Sequence, residues 1–536
     1  MYQFASRRST FTALLACAAF VCPASEGPKT FANSSAITPA RLKTHLEFVA
    51  SDLLQGRKTP SDGLDIAGMY IVSMLRQWGA KPAGENGTFY QALPLYQLRI
   101  NMLKSAVSFG GSSFRFGTGL MSTNFSCDVE AGAVYAGHGW VIKNKKVDPY
   151  QGLDVKGKVV VIASGMPKGC SFADLEGKEG EDYAWPALAA KQQGAVAIVT
   201  VSSPFDMRYW DPEKAVQAGD FERASDPELA PGAALANVFV GPPVADKLFE
   251  GETVTGAQAG SGREAPETGF AFRKDKILKV KAVLDRVERP GYNVVAVVPG
   301  SDPKLKDEYV AFGAHLDHIG KSYTGDSDRI FNGADDDGSG VVAMLEIAHA
   351  MLTGKRPKRS CLFVWHVGEE EGMWGSWHFT EHPTLDLGKV VAQLNADMIG
   401  RSLTPADTKA KRVVSEPHSV FLVGATMMSS DLQKLSEDVN RRFLNMKFDY
   451  RFDDPKDPEK IFYRSDHYSY ARKGIPVIFY TTGNHTDYHM PSDEVAKIDF
   501  AQLTEVSRTI YATGFALADT AKRPRVDKNL PPQPGS

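Results

Sequence analysis

The stretch FNGADDDGSG, Phe331–Gly340, sets Asp335, Asp336 and Asp337 side by side between glycines. Adjacent carboxylates repel one another, and a multivalent cation turns that repulsion into attraction. One carboxylate can offer an oxygen to each of two ions, and the glycines let the backbone bend sharply around them. Imidazoles crowd the same part of the chain: ten of the twelve histidines fall between His315 and His489. The acidic motifs GEEEG, NADM and DYHMPSD lie in that interval too. His315, Asp336, Glu370, Asp397 and His489 together fit two metals, with two histidines, two terminal carboxylates and one shared carboxylate. Imidazole and carboxylate donors without cysteine suit zinc at a catalytic rather than a structural site. Two metals roughly 3.5–4 Å apart hold a bridging water and clamp a substrate oxygen.

Donors this far apart in sequence need a scaffold that gathers them. From about Tyr292 the apolar runs NVVAVVPG, YVAFGAHLDH, CLFVWHVG, KVVAQLNADMIG, VFLVGA and PVIFYTTG alternate with helical stretches such as GVVAMLEIAHAMLTG. Near-continuous apolar strands alternating with helices predict an α/β fold, a mostly parallel central sheet between helical layers. The motifs fall where strands end, and ligands of open α/β sheets gather beyond the carboxyl ends of the strands.

The rest of the chain has other textures. Residues 26–103 open with ITPARLKTHLEFVASDLL and GLDIAGMYIVSMLRQWGA, both apolar at helical spacing. FYQALPLYQLRI then reads as a strand. Residues 104–288 hold short strands between Gly, Pro and Asp, with one helix in DYAWPALAAKQQGA, and read as an inserted β-rich domain. Residues 289–520 carry the chemistry, and 521–536, rich in Pro, Lys and Arg, read as a disordered tail. Arg7 and Arg8, the run FTALLACAAFVC and PAS predict a signal peptide over 1–25 and export to the periplasm or medium. Lipid anchoring through Cys17, in LLAC, is the alternative. No other segment is long and apolar enough to cross a membrane. A formal charge of −3 argues against a nucleic-acid partner. Cys127 and Cys170 either pair or stay free, and Cys361 opens a strand as a buried thiol.

In order and spacing, GAHLDHIG, NGADDDGSG, GEEEGMWGS, NADMIGR, YRSDHYSY and DYHMPSD resemble the secreted co-catalytic zinc exopeptidases. That metallopeptidase family includes bacterial aminopeptidases and glutamate carboxypeptidase. The resemblance runs from about Ile37 to Phe500, and the insert is similar to a protease-associated domain. It implies two zinc ions, one held by His315 and Asp397, the other by Glu370 and His489, with Asp336 rather than Asp335 bridging. It implies a cis peptide between Asp336 and Asp337. Asp317 would orient the His315 imidazole. Glu369 would be the general base for a metal-bridging hydroxide, and Tyr488 would donate to the oxyanion.

Plainer readings stand beside these. An acidic loop can simply cap a helix, and His366 in an apolar strand reads as a core residue. His318 and His467 are placed at the pocket edge, and His485 competes with His489 as a ligand. The activity expected first is an aminopeptidase acting on peptides. Its rivals are a carboxypeptidase for C-terminal acidic residues, a single-zinc glutaminyl cyclase and a non-catalytic binding ectodomain. Oligomeric state is left open.

Overall fold

The computed structural model describes residues 31–208, 210, 215–217, 221–224, 235–322, 328–528 and 530. The expected signal peptide, with Cys17, lies outside the described residues. Among them, no helix is long and apolar enough to cross a membrane.

The site rests on a nine-stranded sheet. Its main strands are β1 (Gly291–Val298), β2 (Tyr309–His315), β3 (Ser360–His366), β4 (Val390–Ala396), β5 (Ser419–Val423) and β6 (Val477–Thr481). Their spatial order is β1-β3-β2-β4-β6-β5. The central four, β3, β2, β4 and β6, run parallel, whereas β1 and β5 join antiparallel. The sheet is therefore parallel where the motifs sit and mixed at its margins. Alternate side chains enter different cores, as a period of two requires. Val310, Phe312 and Ala314 of β2 join one apolar cluster, and Ala311 joins another.

Helices α1 (Pro39–Val49), α2 (Asp62–Trp78), α3 (Gly338–Thr353) and α4 (Phe500–Asp519) supply the first cluster. Pro39 at the first helical position and the Thr38 side chain accepting from Arg41 N–H start α1. Gly79 in the left-handed conformation ends α2. The run FYQALPLYQLRI forms two strands, Tyr90–Leu93 and Leu95–Ile100, because Pro94 has no N–H to continue a ladder.

A second nine-stranded sheet, built from strands between Ala106 and Ala282, has its own apolar core. Leu95–Ile100 leads into it and pairs antiparallel with Leu284–Glu288, which leads out. Cys127, Cys170 and Cys361 are all free thiols. Residues 521–528, read from sequence as the start of a disordered tail, lie against the body. Arg523 donates to Glu308, Arg525 to Asp431, and Asp527 accepts from Ser430 N–H.

Candidate metal centre

Because β2, β3, β4 and β6 are parallel, their carboxyl ends open on one edge of the sheet. His315 closes β2 and pairs in register with His366, the last residue of β3. Glu369 and Glu370 follow β3, Asp397 follows β4, and the loop after β6 brings His485, Tyr488 and His489. The three aspartates immediately precede α3, and the Asp337 side chain caps it by accepting from Gly340 N–H. The bond between Asp336 and Asp337 is cis.

Asp336 lies between two imidazoles. Its Oδ1 is 3.2 Å from Nε2 of His315, and its Oδ2 is 3.2 Å from Nε2 of His489. On the first side, Asp397 Oδ1 stands 3.6 Å from the same His315 nitrogen. On the second, Glu370 Oε2 stands 3.0 Å from His489 Nε2. Zinc bonds of about 2.0–2.1 Å in a tetrahedron place donor atoms roughly 3.3 Å apart. The five side chains named from sequence thus lie together, with the donor atoms above 3.0–3.6 Å apart.

Two other residues compete on distance. Asp337 lies within a possible metal-holding group with His315 and Asp397, and His318 within one with Asp336 and Glu370. The Asp337 oxygens are already taken: Oδ2 accepts from His315 N–H, and Oδ1 from Gly340 and Met398 N–H. His318, placed by sequence at the pocket edge, is fully buried, with Nδ1 2.7 Å from Glu370 Oε1 but 3.8 Å from Asp336. His485 sits elsewhere, its Nε2 3.3 Å from Asp335 and its Nδ1 accepting from Arg401.

The shell behind the donors is built from hydrogen bonds. Asp493 Oδ2 accepts the backbone N–H groups of both Asp335 (2.9 Å) and Asp336 (3.1 Å). Ser465 donates to Asp397 Oδ2 at 2.7 Å and accepts from Asn395 at 3.0 Å. Arg57, fully buried, donates to the carbonyls of Val49, Leu316, Asn332 and Gly333, tying the end of β2 to the aspartate loop. Sequence reasoning passed over Arg57 and Asp493. Arg57 carries no motif, whereas Asp493 stood in the quoted DYHMPSD. Asp317 differs from expectation: the closer partner of His315 Nδ1 is its carbonyl oxygen, at 3.1 Å, with the carboxylate at 3.8 Å. That carboxylate accepts the N–H of Glu369 instead, at 3.2 Å.

Electrostatics favour a cation. Burial opposes a charged His489 ring, yet Asp336 and Glu370 outweigh it and push its pKa up to about 10. Burial, with Asp397, Asp466 and Glu370 nearby, holds the Glu369 carboxyl well above the usual carboxylate range. Nε2 of His489 and Oε1 of Glu370 are buried without an aligned hydrogen bond. Orphaned donors and acceptors around clustered carboxylates fit a bound metal. Glu369 lies beside them, its Oε2 3.9 Å from His315 Nε2. Tyr488 stacks on His489, ring centroids 3.9 Å apart, and shares one cleft with Asp336, Glu369, Glu370 and Asp397.

Such a constellation, at the carboxyl edge of an α/β sheet where ligands gather, can hold metal ions beside an open cleft. The region that carries it, residues 293–514, matches the family model of Peptidase family M28. A probable leucine aminopeptidase of Trichophyton verrucosum is 28% identical over 238 residues, 42% of this chain and 57% of that protein. An aminopeptidase of Pseudomonas aeruginosa is 29% identical over 257 residues, 46% of this chain and 41% of its own length. The chain thus spans about half the length of the relatives it matches. Among solved structures, a zinc aminopeptidase from Bacillus subtilis is similar with a TM-score of 0.47 at 14% identity, covering 91% of this chain and 98% of that one.

Proposed function

We propose that this chain is a zinc-dependent aminopeptidase that removes residues from the amino ends of peptides. The observation that carries the reading is the Asp336 carboxylate, one oxygen 3.2 Å from His315 and the other 3.2 Å from His489. His315 and Asp397 would hold one ion, Glu370 and His489 the other, and Asp336 would bridge them. His489 is preferred to His318 because its Nε2 approaches both Asp336 and Glu370, at 3.2 and 3.0 Å. When bound, two zinc ions supply Lewis acidity, lowering the pKa of water toward about 7 and polarising the scissile carbonyl.

The remaining chemistry belongs to side chains. Glu369, in the cleft and next in sequence to Glu370, takes a proton from the attacking water at a carboxylate oxygen and returns it to the leaving amine. Asp317 fixes Glu369 by accepting its backbone N–H. Tyr488, half-buried and stacked on His489, keeps its phenolic proton because burial pushes its pKa above the usual tyrosine range. It can therefore donate to the developing oxyanion.

The test is a panel of aminoacyl p-nitroanilides and their N-acetylated counterparts, with and without chelator. Free-amine substrates should be cleaved, acetylated ones spared, and chelator should abolish turnover reversibly. Cleavage of N-blocked peptides from the carboxyl end, or cyclisation of N-terminal Gln with one metal per chain, would replace the reading. No turnover on any substrate would leave a binding protein.

A further inference from the structure

Two sets of charged side chains line the cleft: the carboxylates Asp336, Glu369, Glu370 and Asp397, and the cations Lys411, Arg412 and Arg464 with a single further carboxylate, Glu459. Glu459 only partly offsets Arg464, their charged atoms standing 3.9 Å apart. Among the described residues, Lys411 and Arg412 make no ion pair. All three cations are exposed. The apolar ring of Phe479 also lines the cleft. Arg464 shares the cleft with Tyr488, which stacks on His489.

The α-amino group of a peptide is a cation and belongs with the carboxylates beside the metals. A further cation on the substrate would be repelled by Lys411, Arg412 and Arg464, and a carboxylate drawn to them. We infer that this cleft selects peptides bearing a carboxylate next to the scissile bond, with Arg464 as its principal partner and Lys411 and Arg412 assisting. Arginine suits the role, because its planar fork meets both carboxylate oxygens. The carboxylate can be an acidic side chain or the free end of a short peptide. The inference rests on the peptidase reading and deepens it.

Two matched pairs separate the sources. Leu-Leu against Leu-Leu-amide tests the free terminus, and Leu-Glu-amide against Leu-Gln-amide tests the side chain. For the zinc-loaded wild type, kcat/KM should favour the carboxylate member of at least one pair by about tenfold or more, mainly through KM and less at high salt. Arg464→Gln should bring that ratio to about one, and Arg464→Lys should restore part of it. Because each comparison is a ratio within one variant, a general loss of activity does not mimic the result. Wild-type ratios near one in both pairs would overturn the inference, as would an unchanged ratio in Arg464→Gln. If none of the four peptides is hydrolysed while aminoacyl p-nitroanilides are, the inference fails and the peptidase reading stands. If neither kind of substrate is cleaved, both fall.

Discussion

Replacing Asp493 by Ala tests how the aspartate loop is held. One buried carboxylate oxygen of Asp493 accepts two backbone N–H groups, from Asp335 at 2.9 Å and Asp336 at 3.1 Å. Both donors are buried, and the alanine methyl offers no acceptor. An unsatisfied buried donor costs about 1–3 kcal/mol, so two predict a loss of roughly 2–6 kcal/mol. The same change frees the bridging candidate Asp336, and loss of such support typically weakens metal binding about 10–100-fold. Urea denaturation of the metal-free protein reads the first quantity, and competition with a chromophoric zinc chelator the second. Asp493→Asn retains an acceptor oxygen and should lose clearly less stability than Asp493→Ala. A loss in Asp493→Ala below about 0.5 kcal/mol, the range of an ordinary surface change, with zinc affinity intact, would refute the reasoning.

Three other outcomes follow from the same geometry. Glu369→Gln should keep its zinc by metal analysis and lose about 10²–10⁴-fold in kcat; undiminished turnover would remove Glu369 from its role. Glu346 is fully buried in α3, accepts from Arg41 of α1 at 2.6 and 2.9 Å, and has His45 Nε2 3.0 Å away. Glu346→Gln should destabilise the fold by about 2–3 kcal/mol in denaturant titration, because Arg41 is partly exposed and recovers some solvation. His318→Ala should weaken zinc binding less than His489→Ala in chelator competition, since His318 approaches only Glu370 closely.

Much of this arrangement was legible in the sequence for a physical reason. The apolar runs ending in HLD, GEEEG and NADM are strands buried on both faces, so they read as continuous hydrophobic text with chemistry at the carboxyl end. The Asp run announces itself by an electrostatic cost that only a cation relieves. Less legible were residues whose work is done through backbone atoms. Arg57 reaches four carbonyls from a segment 259 residues before Leu316, and no periodicity marks it. The Asp317 carbonyl, rather than its carboxylate, meets His315, a choice set by local backbone direction. His318 looked peripheral because a histidine just past a strand carries no sign of which way its ring turns. The antiparallel margins of the sheet were hidden for a similar reason: strand direction at an edge depends on connections, not on composition.

The account stands on one shared carboxylate. A crystal of the zinc-loaded protein, with anomalous scattering measured at the zinc edge, addresses it directly. The expected map has two peaks about 3.5–4 Å apart, with Asp336 giving one oxygen to each. A single peak, or two peaks neither of which touches Asp336, would contradict it.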